Sequence, residues 1–376
     1  VCIVYDEGTL IQEYPVLTRV RGNASASFEK KPYRIKFNDG KSHRIMKDGK
    51  LESPAKAKKW TLINNYGDKS LMRNILAFEL SHRLQAPYTV WCQPVDVIMN
   101  GEYQGCYQLC DQITIDPNRV PITEMEPSDT EGPLVTGGYL IEVDAYANQE
   151  PSQSWFTSSK GTPVTIKEPD SDAIVPAQYN YIKNFFSQME SKVFANDYMD
   201  EENGYRSMLD LESFLKHFLV GEFSGNMDTY WSVYMYKDAS DGKLYTGPVW
   251  DYDLGFENDY RTYPINNLWD YIYASNGSVA SEAVRQMVTR IVKNDPQAKQ
   301  RLIELWEAAC NEGNLKNLNA VVEQNAELLK ESQELNFKRW KILNQNVHMN
   351  FQSLGSYEAE VQTVKTSING RLSKFD

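Results

Sequence analysis

The chain has no run of about 18 apolar residues, so it offers no segment that would cross a membrane as a helix. It holds only four histidines, His43, His82, His217 and His348, and lacks both HExxH and GxSxG, which removes the common zinc-protease and serine-hydrolase signatures. His217 sits near an apolar helical face and is expected to pack rather than catalyse. Five cysteines in 376 residues are an odd number and make no disulfide framework; buried thiols with one bridge at most are expected. Cys106 and Cys110 have no further Cys or His at ligand spacing, which argues against zinc. Positive charge is also short. With 39 basic against 51 acidic residues the net charge is −12, which repels a phosphate backbone and argues against nucleic-acid binding. No basic-then-apolar leader precedes Val1, so any signal peptide is expected to have been removed.

What is present is an ordinary globular composition, 41% hydrophobic and 24% charged, at a length that allows two lobes. Short alternating segments at 18–21, 33–37, 60–63, 95–99, 103–109, 139–143 and 164–167 read as strands. Asn100 and Gly101 form a type I′ hairpin signal between two of them. One helix interrupts this half, with Ser70 as its expected cap and Leu71, Ile75, Phe78 and Leu84 as its apolar stripe. The loop 116–137, rich in Pro, Asp and Glu, is expected to be exposed. From about Gln178 the period becomes helical, and everything from Val279 onward is expected to be helical, with Asp295-Pro296, Gly313 and Gly355 as punctuation. The expected fold class is α+β and bilobal, with a β-rich lobe at 1–170 and a mainly helical lobe at 171–376 in one domain.

The most informative block runs from Asn226 and Asp228 to Trp250, Asp251 and Asp253. Between the acids, 231–237 and 243–250 are aromatic and β-branched around a turn at 238–242, so they read as a β-hairpin. A hairpin returns its ends to one place, and Asp251 and Asp253, spaced i and i+2 on an extended segment, would point the same way. Clustered acids repel one another and favour a cation; Mg²⁺ takes one or two carboxylates and fills its octahedron with water and phosphate oxygens. Acids at strand ends also serve turns, so the block needs support from elsewhere. Alternation in Tyr33, Arg34, Ile35, Lys36 and Phe37 puts Arg34 and Lys36 on one face, where they could meet phosphates or simply face solvent. Gly40, Lys41 and Ser42 lack the first glycine of a P-loop and read as a turn. Trp250, beside Asp251, could stack on a base.

These segments in order resemble the CotH-like kinase family. The resemblance rests on Arg21, Gly22 and Asn23 with the strand 30–37; on Lys59, Trp60 and Asn64 with Asp68 to Asn74; on Asn100 to Gly105; on Gly137 to Asp144; and on the acidic block through Phe256. It implies a kinase-like fold that binds ATP and Mg²⁺ and transfers the γ-phosphoryl group to a protein or peptide acceptor at Ser or Thr. It implies Asp251 as metal ligand with Asp253 in support, Asp228 as the group that orients or deprotonates the acceptor, and Lys36 at the phosphates. Arg21, Asn23 and Arg34 would add phosphate-side contacts, and Glu142 or Asp111 would pair with the lysine. The details look most like secreted or cell-surface members from gut-type bacteria, some held by a lipid anchor. Asp111 stands where the family usually has Glu, and Glu257 where it usually has Gly, which removes easy access to positive φ.

Two other functions fit parts of the pattern. A catalytically degenerate kinase-like surface module that binds a host protein or glycan would use the 23 Tyr and eight Trp. A glycoside hydrolase would use two of the acids but explains neither the basic strand nor the hairpin order.

Overall fold

The computed structural model of the chain describes residues 2–6, 9–45, 56–264 and 282–375. A hairpin of β1 (Cys2–Asp6) and β2 (Thr9–Tyr14) precedes a five-stranded antiparallel sheet. Its strands are β3 (Val16–Val20), β4 (Tyr33–Phe37), β5 (Lys59–Ile63), β6 (Cys92–Met99) and β7 (Glu102–Asp111), in spatial order β3-β4-β5-β7-β6. The alternation on β4 is as expected, with Ile35 and Phe37 buried and Lys36 exposed. Asn100 and Gly101 both have positive φ, 53° and 84°, which a type I′ turn requires and which glycine adopts freely.

The helix between β5 and β6, α1 (Arg73–Arg83), is not capped by Ser70. Asp68 does that work. Its fully buried carboxylate accepts from the Ser70 N–H at 3.0 Å, the Ser70 hydroxyl at 2.6 Å, the Arg73 N–H at 2.8 Å and the Arg73 guanidinium at 2.6 Å. A carboxylate has more acceptor sites than a hydroxyl, so one side chain can take four donors. Asp68→Ala leaves the buried Arg73 charge without its partner and is expected to cost about 3–5 kcal/mol in denaturant unfolding.

The second antiparallel sheet has the order β12-β11-β8-β10-β9. It is built from β8 (Tyr139–Asp144), β9 (Trp155–Thr157), β10 (Pro163–Glu168), β11 (Ser232–Lys237) and β12 (Tyr245–Thr246), so its strands come from both sides of residue 170. All six residues of β8 are buried, as the centre of a covered sheet requires. The acidic hairpin pairs Met235 with Thr246 and Tyr236 with Tyr245, and its second strand is much shorter than 243–250. Pro248 has no N–H to extend the ladder.

Eight α-helices lie among the described residues. After α1 come α2 (Pro176–Phe194), α3 (Leu211–Ser224), α4 (Glu282–Val288), α5 (Pro296–Asn311), α6 (Leu318–Leu328), α7 (Lys330–Arg339) and α8 (Tyr357–Phe375). Val279 lies outside the described residues. Asp295 caps α5 by accepting from the Gln297 N–H at 2.9 Å. The expectation of helix throughout fails at 340–356, which is irregular because it carries Asn350 to the Gly67 carbonyl (2.8 Å) and to Lys69 (2.9 Å). No described helix is long and apolar enough to cross a membrane.

One apolar core joins α1, the second sheet and the helices, and a smaller one, including Ile35, Phe37, Trp60 and Leu109, lies under the first sheet. The α7 helix packs on β7 at Gly105, where an added Cβ would come within 2.7 Å of the Asn336 side-chain oxygen. His217 is packed in the core, as expected: it is 5% exposed and its Nε2 meets only the Thr229 carbonyl at 3.1 Å. Burial depresses it to about 4, so it stays neutral while the unfolded chain's histidine protonates near 6.5. Stability tied to His217 is therefore present above pH 6.5 and lost as pH falls to 4, by about 3 kcal/mol. Acid unfolding of His217→Gln is expected to show a shallower slope over that window.

Candidate active site

The helix α3 delivers the first acid. It ends at Gly225, whose φ of 67° turns the chain sharply, and Asn226 then caps the short 3-10 turn Met227–Tyr230 that carries Asp228. The Asn226 amide donates to the Asp251 carbonyl at 2.9 Å, clamping the two acidic segments together. The Tyr252 N–H donates to Asn74 on α1 at 2.8 Å, and Asn258 donates to the carbonyls of Asp253 (2.8 Å) and Gly67 (2.9 Å). The segment around Asp251 is thus fixed from three sides. It is not extended, as the sequence suggested: Asp251 has φ 68°, and Phe256 and Glu257 have φ 51° and 63°. Glu257 reaches positive φ without being glycine, at a cost of roughly 1–2 kcal/mol, and such strained positions gather at functional sites.

The hairpin brings the acids within electrostatic reach. Removal from bulk water, then the charges of Asp228 and Glu142, push the Asp251 carboxyl above its usual range, and the Arg21 guanidinium opposes this. Burial, then Asp251, Asp68 and Asp228, push Asp253 up as well. Asp251 and Asp253 are thus close enough for each to shift the other's carboxyl. Part of the Asp251 side chain still meets solvent. Among the described residues, no group of three His, Cys, Asp or Glu side chains is arranged to hold a metal ion. Two neighbouring carboxyls, of which Asp251 raises the cost of charge on Asp253, are nevertheless a donor set that fits Mg²⁺, which needs only one or two carboxylates when phosphate and water complete its shell.

The lysine pairings differ from those the resemblance implied. Glu142, on the central strand β8, takes the Lys167 ammonium of β10 at 2.8 Å and the Ser232 hydroxyl at 2.7 Å. Asp111 is buried against Arg119 at 2.9 Å and accepts from the Tyr88 hydroxyl, so it is a structural anchor at the end of β7. Lys36 is exposed, and its register partner across β4–β5 is Lys59. Asp144 joins Glu142 on the same face of β8, pushed up by burial and by that neighbour. Asn23 is exposed and opens the 3-10 turn Ala24–Ser27. Trp250 is not open to a base: it is buried, stacked on Phe78 with ring centroids 6.0 Å apart, and covered by the Arg21 guanidinium at 5.3 Å.

Asp228 is engaged by Arg261, which meets both carboxylate oxygens at 3.0 and 3.1 Å and also holds buried Asp259. Arg261 and Lys167 were not singled out from sequence as site residues, and Asp68 entered only as the first residue of the 68–74 motif. Lys167 had a signal, since alternation on β10 puts it on the face of Thr165, which bonds Asp144. Arg261 had none.

A separate cavity of about 210 Å³ is lined in part by Lys59, Thr114, Ile115, Met125, Glu168 and Asp170, and by none of the three acids. Burial lowers the Arg34 guanidinium's affinity for its proton, as do Arg19 and Arg21, and Asp170 raises it. Asp170, Arg34, Arg21 and Asp251 therefore form a chain of electrostatic neighbours from the cavity to the acids.

Comparison with protein-family models matches residues 18–374, nearly the whole chain, to the family described as CotH kinase protein. A search of curated proteins found no match.

Proposed function

Since the chain belongs to the CotH kinase protein family, we propose that it is an ATP- and Mg²⁺-dependent phosphotransferase that phosphorylates a protein or peptide outside the cytoplasm. The observation that supports this reading is electrostatic proximity: Asp228 bears on both Asp251 and Asp253, Arg21 offsets the charge at Asp251, and Arg34 neighbours Arg21. The cavity is smaller than a nucleotide and suits its base, walled by Ile115 and Met125. Arg21 and Arg34 then lie along the path of the phosphates. Asp251 and Asp253 would hold Mg²⁺, which neutralises charge on the transferring phosphoryl group. Asp228 would orient the acceptor hydroxyl and take its proton, and the Lys167–Glu142 pair would brace the β8 face behind them. In support of a two-lobed kinase-like fold, the helix α1 follows in sequence the strand β5, which begins with Lys59.

Calorimetry of ATP binding with and without Mg²⁺ tests the proposal. Binding that needs the metal is expected, and no binding in either condition would overturn it. One observation favours a second reading, a non-catalytic surface module: Asp228 is tied to Arg261 rather than free. Retention on a glycan or peptide array without nucleotide binding would support that alternative.

A further inference from the structure

Cys92 and Cys110 are direct register partners across β6 and β7, and both are almost fully buried. One residue outward, the Asp111 N–H donates to the Trp91 carbonyl at 2.9 Å. That makes Trp91 and Asp111 a hydrogen-bonded pair, and the alternation of an antiparallel ladder makes the adjacent Cys92 and Cys110 a non-hydrogen-bonded one. At such positions the Cα atoms approach to about 4.5 Å, within the roughly 4.4–6.8 Å over which a disulfide closes without backbone movement. The Cys110 thiol is turned to the Gln108 carbonyl of its own strand, at 3.6 Å, so closing the bridge asks for a turn of that side chain and not of the backbone. Cys106, on the same strand, stands opposite Asp96 and so does not compete.

We propose that Cys92 and Cys110 are a structural disulfide site, closed during folding by exchange with a small-molecule disulfide such as oxidised glutathione. One cysteine thiolate attacks the glutathione disulfide, releasing one glutathione thiol and leaving a mixed disulfide. The second cysteine then attacks the protein sulfur of that mixed disulfide and releases the other glutathione. One S–S bond forms in the protein as one breaks in the oxidant, and the two thiol protons and two electrons end on the glutathiones. Closure belongs to folding because the finished sheet resists it: burial first, and then the neighbouring Cys92, hold the Cys110 thiol away from ionising, and only the thiolate is the nucleophile. The bridge would tie β6 to β7 one residue before Asp111, where the chain leaves for Thr114 and Ile115 at the cavity wall. This inference is independent of the phosphotransfer reading.

The test is to refold the full chain from denaturant in mixed oxidised and reduced glutathione, or in reductant alone, and then alkylate under denaturing conditions and map peptides by mass. In the glutathione arm, two of the five cysteines are expected to escape alkylation, with the Cys92 and Cys110 peptides linked and two hydrogens lighter than their sum. The oxidised protein should also melt at a higher temperature than the reduced one. Cys92→Ala and Cys110→Ala should each lose the link, and the wild-type map decides the matter alone where a variant fails to fold. Alkylation of all five cysteines in natively refolded protein, or a bridge that joins another pair, would overturn the proposal.

Discussion

Alanine in place of Asp251 is expected to abolish magnesium-dependent ATP binding while leaving the free protein at least as stable as the wild type. The two halves of this result come from one cause. Asp251 sits beside Asp228 and Glu142, each of which raises the cost of its charge, while Arg21 and, to a lesser degree, Asp253 offset them. Removing its carboxylate therefore relieves repulsion in the free protein instead of breaking a stabilising pair. Its backbone role is untouched, because the Asn226 clamp binds the carbonyl of residue 251 and not its side chain. The positive φ at that position strains aspartate as well, so alanine adds only the part of that strain that a short polar side chain eases. With the cation bound the balance reverses, since Mg²⁺ would keep only Asp253 from the protein side. Loss of one partner of a close charge pair costs about 2–5 kcal/mol, or roughly 30- to several-thousand-fold in affinity. Calorimetry with and without Mg²⁺, beside a thermal melt, separates the outcomes. Unchanged Mg-dependent affinity would sink the metal assignment, and a collapsed melting temperature would show that the carboxylate serves the fold instead.

The sequence was most legible where one local rule governed. The strand Tyr33–Phe37 kept its bounds because alternation, β-branching and aromatic residues agree there, and the Asn100-Gly101 turn followed from two residues that tolerate positive φ. The acidic block was legible as a return of the chain, since hairpin strands flank it. Its local geometry was not: spacing of i and i+2 suggested an extended run, whereas the side chains of Asn226 and Asn74, distant in sequence, and of nearby Asn258 hold the segment bent. The cations were harder for the same reason. Lys36 stood out because it lies in a visible basic strand, yet a strand's period fixes which face a residue is on and not what lies opposite that face. Lys167 meets Glu142 because β8 and β10 are neighbours, and that adjacency comes from the topology of the second sheet. The Asp68 cap shows the limit at short range, where a hydroxyl and a carboxylate two residues apart both fitted and the one with more acceptor sites prevailed.

Asparagine in place of Asp228 is expected to leave nucleotide binding intact and to lower turnover by about 10²- to 10⁴-fold, the usual contribution of a positioned general base. The substitution preserves shape, and its amide oxygen can still accept from Arg261, but it cannot take a proton from an acceptor hydroxyl. Arg261 makes the experiment decisive because it bears on both readings of the site. Its two-pronged grip on Asp228 either aims the carboxylate at the acceptor or removes it from chemistry. Arg261→Lys keeps a positive charge beside buried Asp259 but gives up the planar fork. If the grip is positioning, Arg261→Lys lowers turnover by less than Asp228→Asn does and leaves the Michaelis constant for ATP unchanged. If it is sequestration, the wild type shows no turnover to lose and both variants bind nucleotide alike. Single-turnover measurement of γ-phosphoryl transfer with the three proteins side by side distinguishes the cases. Equal, measurable rates in all three would remove Asp228 from the mechanism, because a base that can be replaced by an amide without effect is not accepting the proton.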